Sequence, residues 1–287
     1  MKNILDTASF KQFTDSDPSD LKINYLLPVF EDQEVHLKIN KEPVKMSNRK
    51  VSTTISKQQN ETILMQMGID TSSQMESILK NEFKQGVIKD LINEYSSLGK
   101  KSFSEMKNKT QRIISRFFPN YVFYKYTGGT ERDKIEGIIE LISLGSNMIG
   151  ARSRMGKGDF LICNSQVASY IQDGEFFVPD MSGGLQISID LYKYIGNIHS
   201  SIDVFVDPFA RFDDNYIIIG KRTSNDQSGV YLGTKEGSIE IKETEDQIIK
   251  DYNNSFFIKS TQDSHKNFIR FDVKFDKRPY WKKLLSI

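Results

Sequence analysis

The chain has 287 residues, enough to bury a sizeable core as one large domain or two interleaved ones. Its 39 basic and 38 acidic residues leave a formal charge of +1, which excludes the cation excess of a tight nucleic-acid binder. A single cysteine, Cys163, and three scattered histidines (His36, His199, His265) exclude an intrachain disulfide and any metal centre built on Cys or His clusters.

Residues 1–20 are polar and punctuated by Asp15-Ser-Asp-Pro18; they read as an extended arm, ordered only if other elements hold it. The opening Met1-Lys-Asn-Ile-Leu-Asp6 lacks the apolar run of a secretory signal, and no apolar stretch approaches bilayer length, so a reducing cytoplasm is the expected setting. After Leu26-Leu-Pro-Val-Phe30, the alternation Val35-His-Leu-Lys-Ile39 predicts a strand. Residues 49–67 are rich in Ser, Thr, Gln and Lys, with apolar Val51, Ile55, Ile63, Leu64 and Met67. That pattern predicts a long, mostly exposed helix ending at Gly68.

Ser73 and Glu76 form a capping box that would start a second helix. Met75, Ile78, Leu79, Phe83, Val87, Leu91 and Tyr95 would line its apolar face, and Gly99 with Lys100-Lys101 would close it. Residues 117–126 are aromatic and read as extended. A third helix is predicted from near Thr130, helped by Asp133, with Ile135, Ile138, Ile139, Ile142 and Ile149 as its stripe. Gly137 and Gly145 would allow it a close neighbour. From there the pattern turns to short strands at residues 160–163, 202–206, 216–219, 229–232, 256–258 and 269–275, with Asn164-Ser165 opening a small helix after the first. Helices first and a strand-rich half after them make an α+β chain.

Three chemistries merit weighing. Gly156-Lys-Gly-Asp159 could grip a phosphate and make the chain a nucleotide-binding enzyme. However, a phosphate loop follows a strand and opens a helix; here a helix precedes and a strand follows, and no Ser or Thr follows Lys157 to hold magnesium. Asp203, Asp207, Asp213 and Asp214 offer oxygen ligands for a hard cation, but Asp207-Pro208 and Asp213-Asp-Asn215 read more simply as turns. Cys163 lies inside an apolar strand and His199 in a polar loop, so neither has the partner that nucleophilic catalysis needs. No catalytic, cofactor-binding or metal-ligating residue is assigned. Trp281, before Lys282-Lys283, belongs to a segment docked on a neighbouring subunit or packed on its own domain.

Three segments, in order, resemble the major capsid proteins of T-even-like tailed phages. The first begins Arg49-Lys-Val-Ser-Thr-Thr and runs through Gly68-Ile-Asp70 to Ile78-Leu-Lys-Asn-Glu82, where the family has a basic-led helix, a "Gly-Leu-Asp" break and an acidic helix. The second is Ala151-Arg-Ser-Arg-Met-Gly-Lys-Gly-Asp-Phe-Leu-Ile-Cys163, similar to the family's "Arg-Arg-Gly-Lys-Gly-Asn-Phe-Ile-Ile-Cys". The third is Asp203-Val-Phe-Val-Asp-Pro-Phe-Ala210, followed by Tyr216-Ile-Ile-Ile-Gly-Lys-Arg222 and Gly229-Val-Tyr231.

The resemblance implies a Hong Kong 97-type α+β capsid fold with a long spine helix, a peripheral domain and an axial domain. Residues 1–48 would be an N-terminal arm and shortened extended loop, 49–156 the peripheral domain with the spine helix, and 157–287 the axial domain with returning peripheral strands. It implies a major capsid protein, not an enzyme and without cofactor, self-assembling into hexameric and pentameric capsomers of an icosahedral phage head. A vertex or minor subunit of the same fold is the alternative. The implied partners are other copies of itself, portal, scaffolding and decoration proteins, and packaged DNA held non-specifically, with no membrane. The implied location is the virion, assembled in the host bacterial cytoplasm. Arg152, Arg154, Lys157 and Trp281 are the candidate inter-subunit contacts, with the three turn cations alternatively facing the DNA. The chain departs from the family in its short length, in Leu232-Gly-Thr-Lys-Glu236 replacing "Ala-Pro-Tyr", and in lacking Leu/Ile-x-Glu cleavage sites within residues 1–48.

Overall fold

The structure, a computed structural model, describes residues 2–12, 21–31, 34–68, 71–106, 131–180, 193–211, 214–224, 227–235 and 237–273. After a 3-10 turn at Ile4–Thr7 come strands β1 (Ser9–Gln12), β2 (Lys22–Glu31), β3 (Glu34–Pro43) and β4 (Ser47–Ser56), then helices α1 (Lys57–Met67), α2 (Thr71–Met106) and α3 (Glu131–Ser153). β5 (Phe160–Asn164) leads into α4 (Ser165–Gln172), and β6 (Phe177–Pro179), β7 (Lys193–Ile198), β8 (Ile202–Asp207) and β9 (Tyr216–Gly220) follow. The last elements are β10 (Val230–Thr234), β11 (Ser238–Glu243), β12 (Gln247–Ser260), a 3-10 turn at Ser264–Asn267, and β13 (Phe268–Asp272).

Two compact units interleave along the chain. Unit one takes Met1–Thr7, Glu94–Thr223 and Gln262–Ile287; unit two takes Ala8–Asn93 and Ser224–Thr261. The residues of α2 are shared between them, changing unit at Asn93/Glu94.

In unit two, β12 organises a sheet in the order β1-β10-β12-β11, with β4 also paired to β12. The β4 pairing is antiparallel and runs ten residues, from Ser56↔Gln247 to Ser47↔Phe256. Residues 49–56 are therefore strand, not the start of a helix as their composition suggested. Val51, Thr53, Thr54 and Ile55 are β-branched, which favours a pleated edge over a helix. The helix begins only at Lys57, where the Ser56 hydroxyl accepts from the Gln59 N–H at 3.2 Å. It ends as predicted: Gly68 takes φ 64° and its N–H donates to the Leu64 carbonyl at 3.0 Å. β2 and β3 form a two-stranded antiparallel hairpin from Lys22↔Pro43 to Glu31↔Glu34, so residues 22–31 join the predicted strand.

The unit-two part of α2 buries Met75, Leu79, Phe83, Val87 and Leu91, a stripe in steps of four. Each such step turns the helix about 40° past a full circle, so Ile78 is left behind on the solvent side at 55% exposure, while Ile88 and Ile92 are taken in. Phe83 meets Tyr252 and Phe256 edge-on at 5.5 and 5.8 Å. The helix starts at Thr71, so Ser73 lies within its first turn, and the Glu76 carboxylate pairs with the buried Lys250 ammonium at 3.3 Å.

In unit one, six strands lie in the order β13-β9-β5-β8-β7-β6. Only β5 and β8 pair in parallel, the crossover carried by α4; the remaining pairs are antiparallel. Asn164 caps α4, its side-chain oxygen accepting from the Val167 N–H at 3.1 Å. α3 lays Ile138, Ile139, Ile142 and Ile149 on the core formed by Leu161, Cys163, Ile217, Ile219 and Phe271. Gly145 permits this approach: a Cβ there would lie 2.8 Å from the Phe271 ring.

The basic pair Lys100-Lys101 does not end α2, which continues to Met106. Gly99 serves instead to bring β13 in, since a Cβ there would sit 2.7 Å from the Arg270 backbone nitrogen. Residues 2–12 are held by other elements, the condition under which the arm was expected to be ordered. Ile4 and Thr7 are fully buried, Thr7 shares a 2.9 Å hydrogen bond with the Tyr95 hydroxyl, and β1 pairs with β10. Residues 13–20 and the aromatic stretch 117–126 lie outside the described residues.

Candidate functional site

The basic turn between α3 and β5 is where the sequence concentrates its candidate contacts. Past Ser153 the chain turns through Arg154, at φ 54°, whose N–H donates to the Gly150 carbonyl at 3.0 Å. The Ser153 hydroxyl accepts from the Met155 N–H at 3.2 Å. Gly156 adopts φ 111°, a conformation open to glycine and strained for other residues. Gly158 is then pinned to the helix, with its N–H donating to the Ser146 carbonyl at 3.2 Å and its carbonyl accepting from the Ser146 hydroxyl at 2.8 Å. The Asp159 N–H goes to the Gly220 carbonyl at 2.9 Å.

A phosphate grip and a structural joint differ in where their backbone N–H groups go. A phosphate loop works by leaving successive N–H groups pointing at an anion. Here the N–H groups of Arg154, Met155, Gly158 and Asp159 are already bonded within the fold. Asp159 is engaged as well, accepting from the Arg222 N–H at 2.9 Å. Burial pushes its carboxyl above the usual carboxylate range, against the opposing pull of Arg222 and Lys221.

Arg154 and Lys157 come to the surface on this one turn, and Arg152 is half-buried just before it. The pairing Phe160↔Gly220 also brings Lys221 alongside, its ammonium 3.1 Å from where a Cβ on Gly156 would sit. Nothing near the turn in sequence signals Lys221; the only clue is that each of two apolar strands, 160–163 and 216–219, has cations beyond the end where they pair. Trp281 lies outside the described residues.

The acidic residues weighed as cation ligands are occupied otherwise. Asp203, nearly buried in β8, accepts from the Lys2 ammonium at 2.6 Å and from the Arg222 guanidinium. Asp207 closes its turn by accepting from the Phe209 N–H at 2.9 Å and the Tyr216 hydroxyl at 2.6 Å. Burial, with Asp207 beside it, pushes the Tyr216 hydroxyl well up. Asp214 lies 3.9 Å from Arg270, and Asp213 is outside the described residues. Among the described residues no group of three His, Cys, Asp or Glu side chains is placed to hold a metal ion. Cys163 is fully buried and burial pushes its thiol far up. His199 lies against Phe176 at 4.5 Å.

An α+β chain that pairs Asp159, Asp203 and Asp207 within its own fold, and turns Arg154 and Lys157 outward on one turn, has the makings of a building block. Its fold is the Hong Kong 97-type capsid fold. The capsid of Ralstonia phage GP4 superposes with a TM-score of 0.51 at 13% identity, covering 95% of this chain and 88% of that one. Lower-scoring matches include the virus-like particle from Pyrococcus furiosus (TM-score 0.47, 12% identity, 94% and 92% covered) and Microbacterium phage Oxtober96 (0.49, 10%, 92% and 89%). Residues 27–232 match the family described as Major capsid protein Gp23, and the chain belongs to that family. No curated protein matches it. The chain is a major capsid protein, a part of the virion that forms the phage head shell.

Proposed function

We propose that copies of this chain associate into hexameric and pentameric capsomers that close an icosahedral shell around phage DNA. The observation that carries this reading is the family match over residues 27–232, which spans the α3–β5 joint. A shell is built from heterologous contacts repeated many times rather than from one reactive pocket. Near-neutral charge suits that, because hundreds of strongly charged copies would repel. α2, at 36 residues about 54 Å long, is the candidate spine helix of the peripheral domain assigned to residues 49–156. Residues 1–48, with the β2–β3 hairpin, supply the arm and shortened extended loop, and residues 157–287 the axial domain and returning strands. Arg152, Arg154 and Lys157 make inter-subunit salt bridges, and Trp281 packs on a neighbour. Assembly takes place in the host bacterial cytoplasm with scaffolding and portal proteins, and decoration proteins bind the finished shell. No catalytic step and no cofactor enter this role.

The test is expression of the chain, alone and with scaffold, followed by light scattering and negative-stain microscopy. Rings, sheets or closed shells are expected; a monomer at high concentration under both conditions sinks the proposal. Copy number per purified particle separates a major subunit from a vertex subunit, which is far scarcer. Titration calorimetry with ATP is expected to give no heat that Lys157→Ala abolishes.

A further inference from the structure

Unit one carries a groove of about 480 Å³ between the first half of α3 and residues 173–176, just before β6. Its floor is apolar: Ile135 and Ile139 on the helix, and Phe176, which is 52% exposed. Val178, two residues further on, is 49% exposed, so a patch of apolar surface faces solvent at this sheet edge. Around the floor stand the carboxylates of Glu136, Glu140, Asp173 and Glu175. Arg132 is the one cation of the lining and pairs with Glu136 at 2.9 Å, so carboxylates outnumber cations on this rim.

The sequence contains a segment of the complementary kind. Lys277-Arg-Pro-Tyr-Trp-Lys-Lys283 carries four cations, no acid and two adjacent aromatic side chains. We infer that residues 277–283 of one subunit dock in this groove of a neighbouring subunit, with Trp281 on the Ile135, Ile139 and Phe176 floor and the flanking cations on the acidic rim. Aromatic anchors seated in an apolar pocket inside a charged rim are the usual energetic centre of an interface.

A shell is held by contacts repeated between copies, so the occupant is the neighbouring subunit's residues 277–283 rather than the chain's own.

This inference rests on self-assembly, and Trp281, the chain's one tryptophan, makes the two separable. Trp281 emission and light scattering are followed together as full-length protein is concentrated through assembly. The expected result is a shift of emission to shorter wavelength that rises with scattering. Glu136→Lys with Glu140→Lys, both at the surface of α3, should abolish the shift and raise the concentration needed for assembly about tenfold. Lys282→Glu with Lys283→Glu should do the same, and mixing the two variants should restore both signals. Particles that form with emission unchanged overturn the inference alone. So does a short-wavelength emission already present in dilute monomer and independent of concentration, which marks own-chain packing. Chains that never associate overturn self-assembly and this inference with it.

Discussion

Asp251 on β12 shows how a single side chain ties acid stability to the fold. Its carboxylate meets the Lys50 ammonium at 2.7 Å and that of Lys242 at 3.3 Å. Lys50 first, then the Ser52 hydroxyl and Lys242, hold its pKa down to about 2, below the ordinary value of about 3.9. A depressed folded-state pKa contributes stability that is present above the unfolded value and lost as pH falls through the folded one. Urea midpoints of the native protein should therefore fall between about pH 4 and pH 2, and Asp251→Asn should flatten the curve in that window. Equal acid slopes in both proteins would refute this account. Cys163 gives a second expectation. Fully buried, with its thiol pushed far up, it should resist a thiol reagent at pH 8 until denaturant unfolds the chain. Labelling at the rate of a free thiol would show that the sheet opens there.

At the scale of elements, two glycines in α2 should behave oppositely. Gly99→Ala drives a Cβ into the Arg270 backbone, which cannot step aside, so a loss of about 1–3 kcal/mol in urea unfolding is expected. At Gly86 the obstacle is only the tip of the Arg49 side chain, and the ordinary helical preference for alanine offsets its displacement. Gly86→Ala should change stability by less than about 1 kcal/mol. Equal losses at both sites would mean that backbone contact is not the deciding factor. The same helix shows what was legible in the sequence. Its apolar stripe could be read because i to i+4 spacing is local, as could α3, Gly68 and the apolar strands β5, β8, β9 and β13. Its length could not be read, because Gly99 and Lys100-Lys101 look like an ending until β13 is seen against the glycine. β4 was hidden for a related reason. Its pattern of half-burial exists only beside β12, some 190 positions away. At the candidate site the sequence revealed Arg154 and Lys157 on an exposed turn, whereas Lys221 arrives by strand pairing.

For the whole molecule, charge on the joint should govern association and not folding. Arg154→Glu with Lys157→Glu is expected to leave the urea midpoint nearly unchanged, because surface ion pairs contribute about 0–1 kcal/mol each. The concentration needed for shells should nevertheless rise several-fold, since each copy repeats the loss, and added salt should narrow the gap. Shells that form as readily from the reversed variant would remove the turn from the interface. The ribosome delivers β4 long before β12. Ser56 and its β12 partner Gln247 are 191 residues apart. At about 5–20 residues per second, β4 waits about 10–40 s for the strand that covers its edge. Throughout that interval each nascent copy presents an open strand edge, the feature through which unrelated chains cross-pair. Crowding many nascent copies on one message then makes translation speed between residues 57 and 247 a determinant of soluble yield. Slowing synthesis there should lower the yield and leave the finished protein's stability untouched.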